Sequence, residues 1–175
     1  MFFSKFPKVN YKIDFNNNGF GSQVLVTDIF RRVAPLDKFI VNETFLEDYT
    51  IKAGERPEDI AYFLYGDTEY HWVLLVINNI IDPYNEWYYT PEQLEALVEQ
   101  RYGEGNLNAT HHWARYDNPL ICEDYDAARV ANGELFEVTH LEHEQFENDA
   151  RQNIKVLHPR YLNDFVNEFN RLIQK

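Results

Sequence analysis

The sequence predicts an α+β protein: a small strand–helix–helix core, an extended amino-terminal arm, an irregular β-containing segment and a carboxy-terminal amphipathic helix. Three observations predict it. Residues 45–51 alternate with period 2 and then give way to helical spacing after Gly54 and Pro57. The run Trp72, Val73, Leu74, Leu75, Val76, Ile77 is apolar nearly all round, as in a helix buried on several sides. Tyr161, Leu162, Phe165, Val166, Phe169, Leu172 and Ile173 fall on one helical stripe.

Residues 1–44 read as an extended arm, in which Phe2, Phe3, Phe6, Tyr11, Phe15 and Phe20 interleave with Lys and an Asn-Asn-Asn-Gly stretch. A strand is expected at Val24–Val26 and a short helical turn near Asp28–Arg32. An arm so apolar is costly in water, so it should lie on its own body or on a neighbouring protein.

Residues 45–102 form the core and a third helix. Phe45, Glu47, Tyr49 and Ile51 alternate with Leu46, Asp48 and Thr50 in a half-buried strand that Gly54 ends. Pro57 suits a first helical position, and Glu58 and Asp59 in the first turn complement the helix dipole. Ile60, Phe63 and Leu64 make an apolar face, and Gly66 is placed to stop the helix in the left-handed conformation. Asp67 or Thr68 caps the next helix, which Asn78-Asn79 ends. Thr90-Pro91-Glu92-Gln93 then opens a third helix with a capping box, with Tyr89 and Leu94 at staple positions. Leu94, Leu97, Val98 and Arg101 share its face, and Gly103 ends it.

Residues 103–138 are less regular, with strands expected at His112–Tyr116 and Glu134–Val138 and a turn at Asn132-Gly133. Residues 139–175 regain order through a second capping box, Thr139 with Glu142, a short strand at Ile154–Val156 and the helix opened by Pro159. Seven apolar side chains on that last helix forfeit roughly 10–20 kcal/mol if left wet. The helix is therefore docked, on its own core or on a partner helix.

The order strand, helix, helix, beginning YTIKAG and closing on a hydrophobic helix that ends INN, resembles the LysM fold. The longer string RPEDIAYFLYGDTEYHWVLLVINNIIDPYNEW resembles the LysM-like baseplate wedge subunit of contractile-tailed phages, the wedge protein numbered fifty-three in T-even phages. TDIFRR at Thr27–Arg32 and NDARQNIKVLHPRYLNDFVNEFNRLI near the carboxy terminus resemble the same family. These stretches keep the family's order over about half to two-thirds of the chain. Where a typical LysM repeat has a Gly-Asp pair, this chain has Gly54-Glu55-Arg56-Pro57. Where the repeat ends in a strand and a Pro, it runs through Asp82-Pro83-Tyr84 into Trp87-Tyr88-Tyr89. The segments corresponding to the glycan loops, Gly54–Arg56 and Asn79–Asp82, lack the sugar-binding pattern.

The resemblance implies a structural subunit of a tail baseplate, assembled in the host cytoplasm and carried in the virion. It implies six copies per baseplate, bridging neighbouring wedges around the central hub. The partners implied are other wedge subunits, adjacent wedges and the sheath-initiating protein. The alternative is a LysM-type protein that binds peptidoglycan or another glycan.

Composition narrows the partners. With 29 Asp and Glu against 16 Lys and Arg, the net charge is −13, which argues against nucleic acid or an anionic membrane. The longest apolar run is too short to span a bilayer, and the first residues do not read as a signal peptide. Cys122 has no internal partner, reads as a small, partly buried residue, and lies beside Glu123 and Asp124, which disfavour a thiolate. GxSxG, Walker and GxGxxG motifs are absent. His140 and His143 are three apart and His111-His112 adjacent. However, His140 stands at a helix start, and no Cys cluster or HExxH motif accompanies them. Neither metal, cofactor nor catalytic residue is expected, and the protein is not expected to be an enzyme.

The informative residues are instead aromatic: 13 Phe, 12 Tyr and 3 Trp. Aromatic side chains and Arg are favoured interface anchors. The interface candidates are Phe2, Phe3, Phe6, Arg31, Arg32, Arg56, Trp87, Tyr88, Tyr89, Phe165 and Phe169. Trp72 is expected in the core; for Trp87, Tyr88 and Tyr89, core and interface roles both stand.

Overall fold

The computed structural model describes residues 5–13, 22–29 and 44–174. Phe2, Phe3, Phe15, Phe20, Arg31 and Arg32 lie outside them, as does most of the turn expected near 28–32. The class is α+β, as expected. The chain divides into two compact units, one drawn from residues 1–48, 56–81 and 155–175, the other from 49–55 and 82–154. The division falls within two strands, β3 (Leu46–Thr50) and β7 (Asn153–Leu157), which pair in a two-stranded sheet.

In the first unit, β1 (Lys8–Ile13) and β2 (Ser22–Thr27) form an antiparallel hairpin in which Val9 faces Val26 and Tyr11 faces Val24. The strand expected at 24–26 is thus there, longer, and it pairs with β1, a strand within the segment expected to be an extended arm. Helix α1 (Pro57–Tyr65) has the expected Pro start and ends at Gly66 with φ +76°. The extra device is at its start, where the Asp59 carboxylate accepts from the Arg56 amide at 3.1 Å. A 3-10 turn, Thr68–Tyr70, capped by Asp67, leads into α2 (His71–Ile77).

Asn78 ends α2 and does more. Its amide donates to the carbonyls of Leu74 and Lys155, both at 2.8 Å, and its oxygen accepts the Lys155 N–H at 2.8 Å. One side chain thereby supplies the helix end and the strand with backbone-like partners. After a second 3-10 turn, Pro159–Tyr161, the final helix α7 runs Leu162–Ile173, starting three residues later than Pro159 suggested.

The core of the first unit gathers Phe6, Trp72, Val73, Ile77, Leu157, Leu162, Phe165, Phe169 and Ile173. The Trp72 ring lies 4.7 Å from that of Phe169 and 6.1 Å from that of Phe165. The docked helix is therefore docked on its own unit. Trp72 is a core residue, as expected. The Tyr65 hydroxyl donates to the Leu157 carbonyl at 3.0 Å, and burial pushes its pKa up.

In the second unit, the short helix α3 (Pro83–Glu86) starts on Pro83 and is capped by the Asp82 side chain. Helix α4 (Pro91–Tyr102) carries the expected Thr90–Gln93 capping box and ends at Gly103. A three-stranded antiparallel sheet follows, in the order β5-β4-β6, from β4 (Thr110–Arg115), β5 (Asn118–Glu123) and β6 (Leu135–Thr139).

Strand β5 was not expected, and its Pro119 is tolerated because β5 is an edge strand. Cys122 on it is exposed rather than partly buried. Asn132-Gly133 is not a hairpin turn: Asn132 ends the short helix α5 (Ala127–Ala131), and Gly133, at φ +72°, turns the chain into β6. Helix α6 (His140–Arg151) begins with the expected Thr139–Glu142 capping box.

Candidate functional site

Two kinds of feature stand out: apolar surface on the first unit, and a cluster of polar rings, of which His112 is buried, on the second. On the hairpin, Val9, Tyr11, Val24 and Val26 share a face because side chains alternate along strands and these residues stand in register. Val9, Tyr11 and Val24 are exposed, Tyr11 at 61 %. On α1, Ile60 and Ala61 are fully buried while Tyr62 and Phe63 turn outward, Phe63 at 75 % exposure. Phe63 was expected on the apolar inner face with Ile60 and Leu64. The buried residues Pro57, Ile60 and Ala61 centre the inner face on the side of Ile60 away from Phe63, so at 100° per residue Phe63 stands roughly 110° from that centre and faces out.

The interface candidates separate into groups. Phe6, Phe165 and Phe169 are buried in the core of the first unit, so their area is already covered by their own chain. Trp87 is buried in the second unit, where its indole N–H donates to the Glu55 carbonyl at 2.9 Å. Tyr88 and Tyr89 are partly buried. Tyr89 is held twice by the buried Asn148: its N–H donates to the Asn148 oxygen at 2.8 Å, and its carbonyl accepts from the Asn148 amide at 3.1 Å. Arg56 is exposed. Tyr11 belongs to the arm that the sequence places on its own body or on a neighbouring protein; Val9, Val24 and the Tyr62–Phe63 pair are not among the interface candidates, because an apolar residue on a strand or helix is first assigned to a core.

The second unit contains a cluster that the sequence did not join. His111 and His112 are adjacent on β4, where alternation should send them to opposite faces. A register shift in the β4–β6 pairing falls between Thr110 and His112, so His111 occupies a bulge and alternation fails there. The two rings meet with Nδ1 to Nδ1 at 2.7 Å. His143, in the first turns of α6, stacks on His111 with ring centres 4.0 Å apart and an 8° tilt. His140 stacks on Tyr102 at 4.0 Å and lies edge-on to His111 at 5.3 Å. One nitrogen from each of His111, His112 and His143 lies within 4.8 Å of the others.

Beside these rings, the buried Glu144 carboxylate accepts from the Arg101 guanidinium at 2.6 Å and the Tyr102 hydroxyl at 2.8 Å. Burial by itself raises a carboxyl pKa. Here the hydrogen bonds from Tyr102 and Arg101 outweigh it and hold Glu144 below its usual range. The His111 pKa is lowered, first by burial and then by the like charges its neighbours His143, His112 and His140 carry when protonated. His111 is therefore held toward its neutral form. His140 and His143 were paired in the sequence by their three-residue spacing, but the partner that matters for His143 comes from β4.

Residues 1–117 match the family model described as Base plate wedge protein 53. The chain is also similar to the baseplate wedge protein gp53 of Enterobacteria phage T4. The two are 28% identical over 191 aligned residues, which cover 100% of this chain and 97% of that protein.

Proposed function

The chain belongs to the base plate wedge protein 53 family, and we propose that it bridges neighbouring wedges of a phage tail baseplate, using the apolar face of its amino-terminal hairpin as an assembly surface. Its role is structural, as a component of the virion's tail baseplate. The observation that carries the docking reading is the exposure of Val9, Tyr11 and Val24 together on one face of a two-stranded ribbon. A hairpin alone is marginally stable in water, and a contiguous apolar face on it is best stabilised by a partner.

The finer picture follows the same resemblance: six copies around the hub, contacting adjacent wedges and the sheath-initiating protein. The hairpin face and the Tyr62–Phe63 pair supply apolar anchors, while the acidic surface favours neighbours with basic patches.

The test is co-purification of the full chain with the other wedge proteins of the same phage, beside sedimentation on insoluble peptidoglycan. The wild type should capture wedge proteins and stay off peptidoglycan. A Tyr11→Ser/Val24→Ser variant should keep its circular dichroism and bind wedge partners about tenfold or more weakly. Sedimentation on peptidoglycan without wedge capture would establish the glycan-binding alternative and end the bridging proposal.

A further inference from the structure

We infer that His111, His112 and His143 form a binding site for a divalent transition-metal ion of the zinc class, joining β4 to the start of α6 in the second unit. Four observations carry it. First, the three rings offer nitrogens that all lie within 4.8 Å of one another. In a tetrahedral site with bonds of about 2.0–2.1 Å, ligand nitrogens stand roughly 3.3 Å apart. The close His111–His112 pair has to open slightly and the stacked His143 ring has to tilt, both within the reach of side-chain rotation.

Second, the protonation pattern suits a ligand. His112 Nε2 lies 2.9 Å from the Pro119 carbonyl, which only accepts, so Nε2 carries the proton and Nδ1 presents its lone pair. A ring nitrogen that donates to a backbone carbonyl while its other nitrogen faces the ion is the usual outer support of a metal-bound histidine. His111 Nδ1 holds its proton toward His112 Nδ1. Transfer of that proton to His111 Nε2 leaves a second lone pair facing the site.

Third, His143 Nδ1 is buried and has no hydrogen-bond partner among the described residues. Packing alone leaves this nitrogen unexplained; an ion gives it a partner. Fourth, the local bulge exists at the residue whose side chain it re-aims, and it turns His111 toward the other two rings. Three imidazole ligands match the preference of zinc, copper and nickel, and the fourth position remains for water. Arg101 neutralises Glu144 nearby, while the chain's net charge of −13 favours cation approach.

The site is independent of the wedge assignment and is tested on the isolated full chain. After treatment with chelator, the protein is titrated with Co²⁺ and then Zn²⁺, with absorption spectra and thermal melts recorded. The expected result is one Co²⁺ per chain with the intense visible bands of tetrahedral coordination, displaced by one equivalent of Zn²⁺. Zn²⁺ should also raise the melting temperature. H111Q and H143Q, which keep polar side chains at less buried positions, should keep the fold and bind Zn²⁺ about a hundredfold more weakly. Weak octahedral Co²⁺ spectra in the wild type would overturn the inference by pointing to scattered carboxylates. Unchanged Zn²⁺ affinity in a folded H111Q/H143Q double variant would overturn it equally.

Discussion

Both units bury apolar side chains, and they differ in what they bury beside them. In the first, a helix with a broad apolar stripe closes on Trp72, Phe6 and the end of β7, and the core cluster is entirely hydrophobic. In the second, the buried polar side chains among the described residues, His112, Glu144 and Asn148, all lie on or against α6. The first gains stability from apolar area and tolerates many sequences of similar volume. The second gains definition from paired polar groups, each of which is costly to leave alone.

The contrast can be broken most forcefully in the first unit. Phe165→Ala removes a buried ring beside Trp72 and should cost about 3–5 kcal/mol, measured by urea unfolding at neutral pH. Phe165→Leu should recover most of that loss. If Leu proves as damaging as Ala, ring geometry rather than buried volume governs this core.

In the second unit the comparable change is polar. Asn148→Leu keeps the size but leaves the N–H and carbonyl of Tyr89 without their partner, and should cost about 1–3 kcal/mol. Hydrogen exchange should quicken first at the Tyr89 amide. A neutral outcome would mean that water replaces the Asn148 amide and that the polar seam is less demanding than its burial implies.

The smallest effect concerns alkaline pH. Tyr49 donates to Glu55 at 2.8 Å, and burial, then this carboxylate, push its pKa up to about 12 from 10.0. Because the folded value is the higher one, the contribution to stability is complete below pH 10 and is lost as the pH rises toward 12. Tyr49→Phe should therefore flatten the fall in melting temperature across that window, by no more than a few degrees. An unchanged slope in the variant would assign the alkaline loss to other groups.

Set beside the structure, the sequence was most legible where the signal is local. The Pro57 start and Gly66 stop of α1, the capping boxes at Thr90 and Thr139, and the apolar run of α2 each specify a helix through neighbours within one turn. It was less legible at β5 and α5, where Pro119 and a five-residue helix give little periodicity to read. The hairpin strand β1 was hidden because alternating Lys and apolar residues near a chain end read equally well as an arm.

The sequence by itself determined the class, most helices and their ends, the family resemblance, and an acidic, aromatic-rich character. Tertiary structure decided what sequence separation conceals: that β3 pairs with β7 about a hundred residues away, that Asn78 meets Lys155, and that His143 meets His111 and His112. The physical reason is the range of the interactions. Caps and periodicities act between residues a few positions apart, whereas a strand partner or a ring nitrogen is chosen by which surfaces the packed chain brings together.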